Sequence, residues 1–365
     1  MNLLLSNEIV IWIPVYEINN TAYMNLNYLI FTLIYLFLLS ISAYFTVLLV
    51  FISWKKRKFH KNMTICFSFI FGAWFECWVG IVLVWPYKCG LIMIDDTNQH
   101  YSNFELSEMS DMPRVTNFSQ SFFLFFGSFL LWHYLASTVS GMANFVIERA
   151  IASFFFSDYE KIERSYIGYF ILITSQFFVI QSSVLLFFYV FNLKSALLIS
   201  IFILFCVVLT FFFLLHYNTT LRNQLDIKQI KISYNLAARF QAAENARSLK
   251  LAIFVFSVIC IIFTLALSML VVLFLKLVPE DYNYIIMTAF ECLVALNPLF
   301  IVPVAMFSVP EWKNEFCKNL PFFGGKRRQQ RRKKSKDVKL NHEMRVSMET
   351  DLYFVQLEDS WNTSV

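Results

Sequence analysis

YLIFTLIYLFLLSISAYFTVLLVFISWKKRK, running from Tyr28 to Lys58, decides the fold. The 27 residues up to Trp54 carry no charged side chain, and four basic residues then follow without a gap. Apolar residues fall on every side of the stretch instead of alternating, which excludes a lipid-spanning β-strand. A bilayer core takes ~20 mostly apolar residues per helix. Backbone amides in hydrocarbon have no water to bond, so such a run closes its hydrogen bonds within itself as a helix. A helix of this kind ending in a basic cluster is a membrane span anchored at the cytoplasmic surface.

Six further runs of the same character follow, at Met63–Trp85, Asn117–Ile147, Tyr166–Val190, Ser195–Tyr217, Leu249–Leu275 and Asn283–Phe307. Composition agrees. The 365 residues are 58% hydrophobic and 15% charged, with 43 Phe. A soluble domain is ~45–50% apolar and ~25% charged, and no soluble core of this size hides so much apolar surface. Low hydrophobicity marks disorder, so disorder is excluded for most of the chain. Seven cysteines are too sparse for a disulfide-stapled secreted fold. The expected fold is an all-α membrane protein, a seven-transmembrane helix bundle.

Lys and Arg set its orientation. The first, third and fifth loops and the C-terminal tail hold 26 of the 30; the N-terminal tail and the even loops hold four. The N-terminus is therefore expected outside and the C-terminus in the cytoplasm. Residues 1–27 form an extracellular tail, 28–307 the bundle, 308–320 an interfacial helix, and 321–365 a basic and then disordered cytoplasmic tail. The N-terminal stretch lacks the basic start of a signal peptide, and Asn7-Glu8 interrupts it. Of five N-x-Ser/Thr sequons, only Asn19 and Asn117 fall on the glycosylating side. Cys89 has no partner in an outer loop, so no disulfide between outer loops is expected.

The interfacial helix is read from Ser308-Val309-Pro310-Glu311, where Ser followed by Glu three residues later has the form of a capping box. Trp312, Phe316, Cys317 and Leu320 then recur at helical spacing, and Cys317 is a candidate for palmitoylation. Eight of the eleven residues from Lys326 to Lys336 are basic. Directly after a membrane span, such a run meets anionic lipid sooner than nucleic acid, at ~1 kcal/mol per basic residue near the surface. Residues Tyr234–Arg247 favour a cytoplasmic helix leading into span 6, with Arg239, Arg247 and Lys250 as a surface for lipid or a cytosolic partner.

Ionisable groups inside the spans are expensive and mark function. Glu76 lies in span 2, His133 in span 3 and Glu291 in span 7; Glu148-Arg149 closes span 3. Pro298 frees a carbonyl and kinks span 7, with Asn297 beside it to bond a freed group. At ~1.5 Å per residue, His133 stands roughly 24 Å from Arg149 along its helix. Trp132, His133 and Glu291 are expected to border a ligand pocket in the outer half. Glu76, Asn297, Pro298, Glu148 and Arg149 are expected to form a switch deeper down. The five histidines are too dispersed for a metal site, and no nucleotide loop or nucleophile motif occurs, so neither cofactor nor enzyme activity is expected.

In this order and spacing the chain resembles a G-protein-coupled receptor, and more closely the nematode serpentine receptors of class epsilon, the Sre family. The matching blocks are Ile11-Trp12-Ile13-Pro14-Val15-Tyr16, Ile147-Glu148-Arg149-Ala150 leading to Asp158-Tyr159-Glu160, Tyr234–Asn245, and Asn297–Pro303 running to Pro310-Glu311-Trp312. The resemblance implies a chemosensory receptor in sensory-neuron membranes, with a small-molecule ligand and a heterotrimeric G protein as partner. Glu148-Arg149-Ala150 resembles Asp-Arg-Tyr with Ala in third place, and Asn297–Ile301 resembles Asn-Pro-x-x-Tyr with Ile301 for Tyr. Span 6 carries no proline, and Leu124 stands where a span 3 disulfide cysteine is expected. Two other classes use some of the same residues. A transporter or ligand-gated channel would employ Glu76, His133 and Glu291 as a polar path, yet the spans show no repeated halves. A scaffold would explain the basic tail but not the acid–Arg and Asn–Pro pairs.

Overall fold

The structure is a computed structural model describing residues 1–5, 9–94, 99–102, 112–115, 118–155, 164–228, 236–279 and 282–320. Seven helices or helix pairs are long and apolar enough to cross a membrane, as the run lengths predict. Span 1 is α1 (Leu26–Lys55), and span 2 is the pair α2 (Lys61–Gly72) and α3 (Trp74–Lys88). Spans 3 to 6 are α4 (Phe118–Phe154), α5 (Ser165–Phe187), α6 (Leu193–Lys228) and α7 (Leu236–Phe274). Span 7 is the pair α8 (Asn283–Ala295) and α9 (Pro298–Ser308). The helix expected before span 6 is continuous with it, and α7 is accordingly 39 residues long.

Helix α4 lies at the centre, against α2, α3, α5, α6 and α7. Its approach to α3 is backbone to backbone. A Cβ built on Gly80 would stand 2.9 Å from the Gly127 carbonyl oxygen, and one on Gly127 3.0 Å from that of Gly80. Only glycines permit that separation.

The break in span 7 follows from Pro298, which has no N–H to give the Val294 carbonyl. Asn297 Nδ2 donates to that carbonyl instead at 2.9 Å, and the Tyr134 hydroxyl reaches it at 3.5 Å. The neighbouring Ala295 carbonyl accepts from the Trp74 indole at 2.8 Å. Trp74 is presented by the break in span 2, which falls at Gly72-Ala73, a weak point for helix propagation that the hydropathy pattern does not signal.

One end of the helical bundle carries short strands in addition. β1 (Asn2–Leu5) and β2 (Val10–Trp12) form an antiparallel hairpin, and β5 (Arg114–Val115) pairs parallel with β1. β3 (Glu17–Ile18) pairs with β4 (Tyr101–Ser102). These strands form a lid. Leu3, Ile11, Ile13 and Val15 are buried with Val84, Tyr87 and Leu124 from the helices beneath. Trp12 reaches furthest in. Its ring centroid lies 4.5 Å from that of Trp132, whose indole nitrogen donates to the Trp12 carbonyl at 2.8 Å.

The chain divides into two compact units, 1–312 and 313–365. α10 (Pro310–Asn319) begins at a proline, as expected, but the capping box does not form. Ser308 Oγ donates back to the Val304 carbonyl at 2.6 Å, and Glu311 pairs with Lys58 at 2.7 Å. The Lys58 ammonium bonded to it holds the Glu311 carboxyl below its ordinary range. Trp312 Nε1 donates to the Lys56 carbonyl at 3.0 Å. In the second unit Lys318 meets Glu315 at 3.0 Å, and Cys317 is a free thiol. The basic run Lys326–Lys336 and the rest of the tail lie outside the described residues.

Candidate functional site

At the end of α4 remote from the lid, the basal end, Glu148 and Arg149 are both buried, at 0% and 1% exposure. The guanidinium binds the carboxylate twice: Nε to Oε2 at 2.5 Å and Nη2 to Oε1 at 2.6 Å. A bidentate pair of this kind fixes geometry as well as charge. The remaining nitrogen, Nη1, reaches α7, donating to Asn245 Oδ1 at 3.2 Å and Ser248 Oγ at 3.1 Å. Asn245 Nδ2 donates to Asn218 Oδ1 on α6 at 3.2 Å, and Asn218 Nδ2 to Ser153 Oγ on α4 at 2.9 Å. Spans 3, 5 and 6 are thus joined by one closed polar network around Arg149. The contributions of Ser153, Asn218, Asn245 and Ser248 were not read from the sequence. The available signal was polar residues within otherwise apolar helices.

Arg247 and Lys250 are exposed on α7 just beyond this network. Arg239 lies in the same helix.

Mid-bundle, Asn297 Nδ2 also meets the Tyr134 hydroxyl at 2.5 Å, joining the span 7 hinge to span 3. His133, the next residue back, does not face the same way. Its Nδ1 lies 2.5 Å from Glu76 Oε2 on α3. This corrects two expectations. Glu76 belongs with His133 on the seam between α3 and α4, not with the basal switch, and neither residue lines the central cavity. Successive helical residues point about 100° apart, so Trp132 and Tyr134 flank the cavity while His133 turns toward the seam.

Glu291 does line the cavity, and its partner is Lys88, Nζ to Oε2 at 2.5 Å. By hydropathy alone span 2 ends at Trp85, which leaves Lys88 to the loop that follows. It is instead the last residue of α3, because that helix continues through Pro86. Around the pair stand Tyr23, whose ring lies 5.8 Å from Lys88 Nζ, and the buried Glu17. Burial pushes the Tyr23 hydroxyl up from its ordinary pKa against the opposing pull of the Lys88 ammonium, with Glu17 and Glu291 adding to the rise.

The cavity itself has a volume of about 810 Å³ and runs from the lid past the span 7 hinge to Ile151 and Leu251, beside the basal network. Its wall is mostly aromatic and aliphatic. One polar patch faces it between spans 3 and 4, where Ser140 Oγ meets Ser175 Oγ at 2.5 Å and Asn144 Nδ2 donates to Ser175 at 2.9 Å. The volume suits a small organic molecule. Of the two expected glycan acceptors, Asn19 is buried and its amide donates to the Gln99 carbonyl at 3.3 Å. Asn117 lies outside the described residues.

Seven spans, a hinged seventh span, a central cavity and a buried acid–arginine network at the basal end together define a seven-span membrane receptor. The chain belongs to the Sre family: the family model described as Sre G protein-coupled chemoreceptor matches residues 1–362. It is similar to serpentine receptor class epsilon-31 of Caenorhabditis elegans, 29% identical over 356 residues, covering 96% of this chain and 97% of that one. Serpentine receptor class epsilon-38 of the same animal is 29% identical over 366 residues, with 96% and 97% covered. Class epsilon-29 is 27% identical over 359 residues, with 98% of each covered. No solved structure matches the chain.

Proposed function

We propose that this receptor binds a small environmental molecule in its central cavity and relays the event to a heterotrimeric G protein through Arg149. One observation carries the reading: Arg149 is buried at the basal end of span 3 and ties that span to Asn245 and Ser248 of span 6. Ligand shifts a receptor only by binding one arrangement better than the other. Here the cavity touches both sides of the hinge at Asn297-Pro298, so a ligand favouring a different bend of span 7 also repositions its neighbours. Parting α7 from α4 would uncover Arg149, with Arg247 and Lys250 alongside as a docking face that Arg239 extends.

The uneven distribution of Lys and Arg supports an N-terminus and lid outside the cell and a cytoplasmic C-terminus. We further propose that the receptor sits in the plasma membrane of a sensory neuron. Its basic tail lies on anionic lipid, and Cys317 is the place for an acyl anchor. Ligand-dependent nucleotide exchange on a G protein, measured with purified receptor in lipid discs, tests the proposal. Exchange that is unaffected by altering Arg149, in a receptor delivered and folded normally, overturns the role given to that residue.

A further inference from the structure

The cavity has an uneven boundary. Toward the lid it is covered: Pro14, Val15 and Tyr23 form its roof, and Trp12 is fully buried against Trp132. A small depression between the lid and α8, lined by Tyr16, Tyr23, Tyr284 and the Lys88–Glu291 pair, has no room for a water molecule. The side wall is different. Helices α5 and α6 each lean on α4 and scarcely touch one another among the described residues. Phe170 and Phe178 on α5, and Ile199 and Ile203 on α6, line the cavity while also lying exposed on the surface of the bundle. Thr174 and Ser182 on α5 do the same, and among the other described residues so do Ile147 toward the basal end of α4 and Phe31 on α1. Most of the exposed lining among the described residues therefore falls on spans 4 and 5, where the surroundings are hydrocarbon.

Charge narrows what passes. Among the described residues lining the cavity, Lys88 and Glu291 alone are charged, and they face each other at 2.5 Å. A charged ligand would have to compete with that pair for a counter-charge in an otherwise apolar wall. It would also have to shed its own hydration in the bilayer on the way in. An uncharged molecule meets neither cost, and the hydroxyls of Ser140 and Ser175, with Asn144 beside them, offer a hydrogen bond to a single polar group.

We propose that the ligand is an uncharged, membrane-partitioning molecule with one hydrogen-bonding group, and that it reaches the cavity from the bilayer between spans 4 and 5. This rests on the receptor reading of the cavity and adds to it the chemistry and the path of the ligand.

The test uses the full chain in lipid discs and three photoreactive alkyl diazirines of equal chain length, ending in a hydroxyl, a carboxylate or a trimethylammonium group. Labelled residues are mapped by mass spectrometry. The hydroxyl probe labels the cavity wall of α4, α5 and α7 at least about tenfold more than either charged probe, because only these bring a charge into an apolar wall. Ile203→Trp, and separately Ile199→Trp, slow that labelling severalfold without moving the thermal midpoint. Trp12→Ala, which loosens the roof, leaves the rate as it was. Equal labelling by a charged probe overturns the ligand class. A rate indifferent to both tryptophans but raised by Trp12→Ala overturns the path, as does labelling that starts at Phe31. None of these readouts involves a G protein. Labelling as expected without any nucleotide exchange would therefore refute the signalling role and leave this inference standing.

Discussion

Arg149 shows how one residue holds two roles that a substitution tends to confuse. It neutralises a fully buried carboxylate and it ties α4 to α7. Arg149→Ala removes both, and stripping one partner from a buried pair costs roughly 3–5 kcal/mol. Lost signalling from that variant alone is therefore ambiguous. Asn245→Ala leaves the pair intact and removes a hydrogen bond to a charged group, worth about 1.5–3 kcal/mol. It should raise ligand-independent nucleotide exchange, at unchanged surface delivery, by roughly tenfold if the tie belongs only to the resting state. Glu148→Gln with Arg149→Met, read for surface delivery, should recover much of what Arg149→Ala loses while remaining silent in exchange. The Lys88–Glu291 pair obeys the same logic without touching the switch. Lys88→Met alone should lower the thermal midpoint more than Lys88→Met combined with Glu291→Leu, since the double variant leaves no lone charge in the wall. A loss in the double variant equal to the sum of those in Lys88→Met and Glu291→Leu made singly would mean that the two side chains are not coupled.

Breaks in the helices, more than the helices themselves, position the site. The break at Pro298 was legible, because proline's missing donor has a fixed consequence whatever surrounds it. Its repair was not, because Tyr134 and Trp74 come from other spans whose rotation no local pattern records. The break at Gly72-Ala73 escaped detection, and with it went the level of Glu76. Lys88 was misplaced for a related reason: apolar runs end where hydropathy falls, but α3 carries Pro86 in its last turn and continues. Two predictions belong here. Trp74→Phe removes the donor to the Ala295 carbonyl and should destabilise by about 1–3 kcal/mol, the cost of a buried acceptor left without its partner. A thermal midpoint equal to that of the unaltered receptor would show that the hinge does not need the indole. Gly127→Ala should be worse tolerated than an alanine at Gly72, because the new Cβ meets Leu83, Val84 and the Gly80 backbone at 2.9–3.0 Å, whereas at Gly72 nothing lies within 4 Å.

On the scale of the whole molecule, solvent dictates what was readable. Seven spans follow from apolar length alone, since a bilayer demands it of any sequence. The lid is small, its strands two to four residues long, and its registry depends on chain distant in sequence, so β1 meets β5 with no local signal. Topology joins these two ends. The lid buries Trp12 against span 3, while Arg149 sits at the far end of the same helix. Which end faces the cytoplasm is set by charge, and the imbalance of 26 basic residues against four is far larger than one or two substitutions could reverse. An epitope joined to Met1 should therefore bind antibody on intact cells, and one joined to Val365 only after permeabilisation. Replacing Lys55, Lys56, Arg57 and Lys58 together by Gln should leave that pattern in place, because the third and fifth loops and the tail still carry most of the positive charge. If those four changes exposed the Val365 epitope on intact cells, the first loop alone would hold the orientation, and the charge carried by the rest of the chain would count for little.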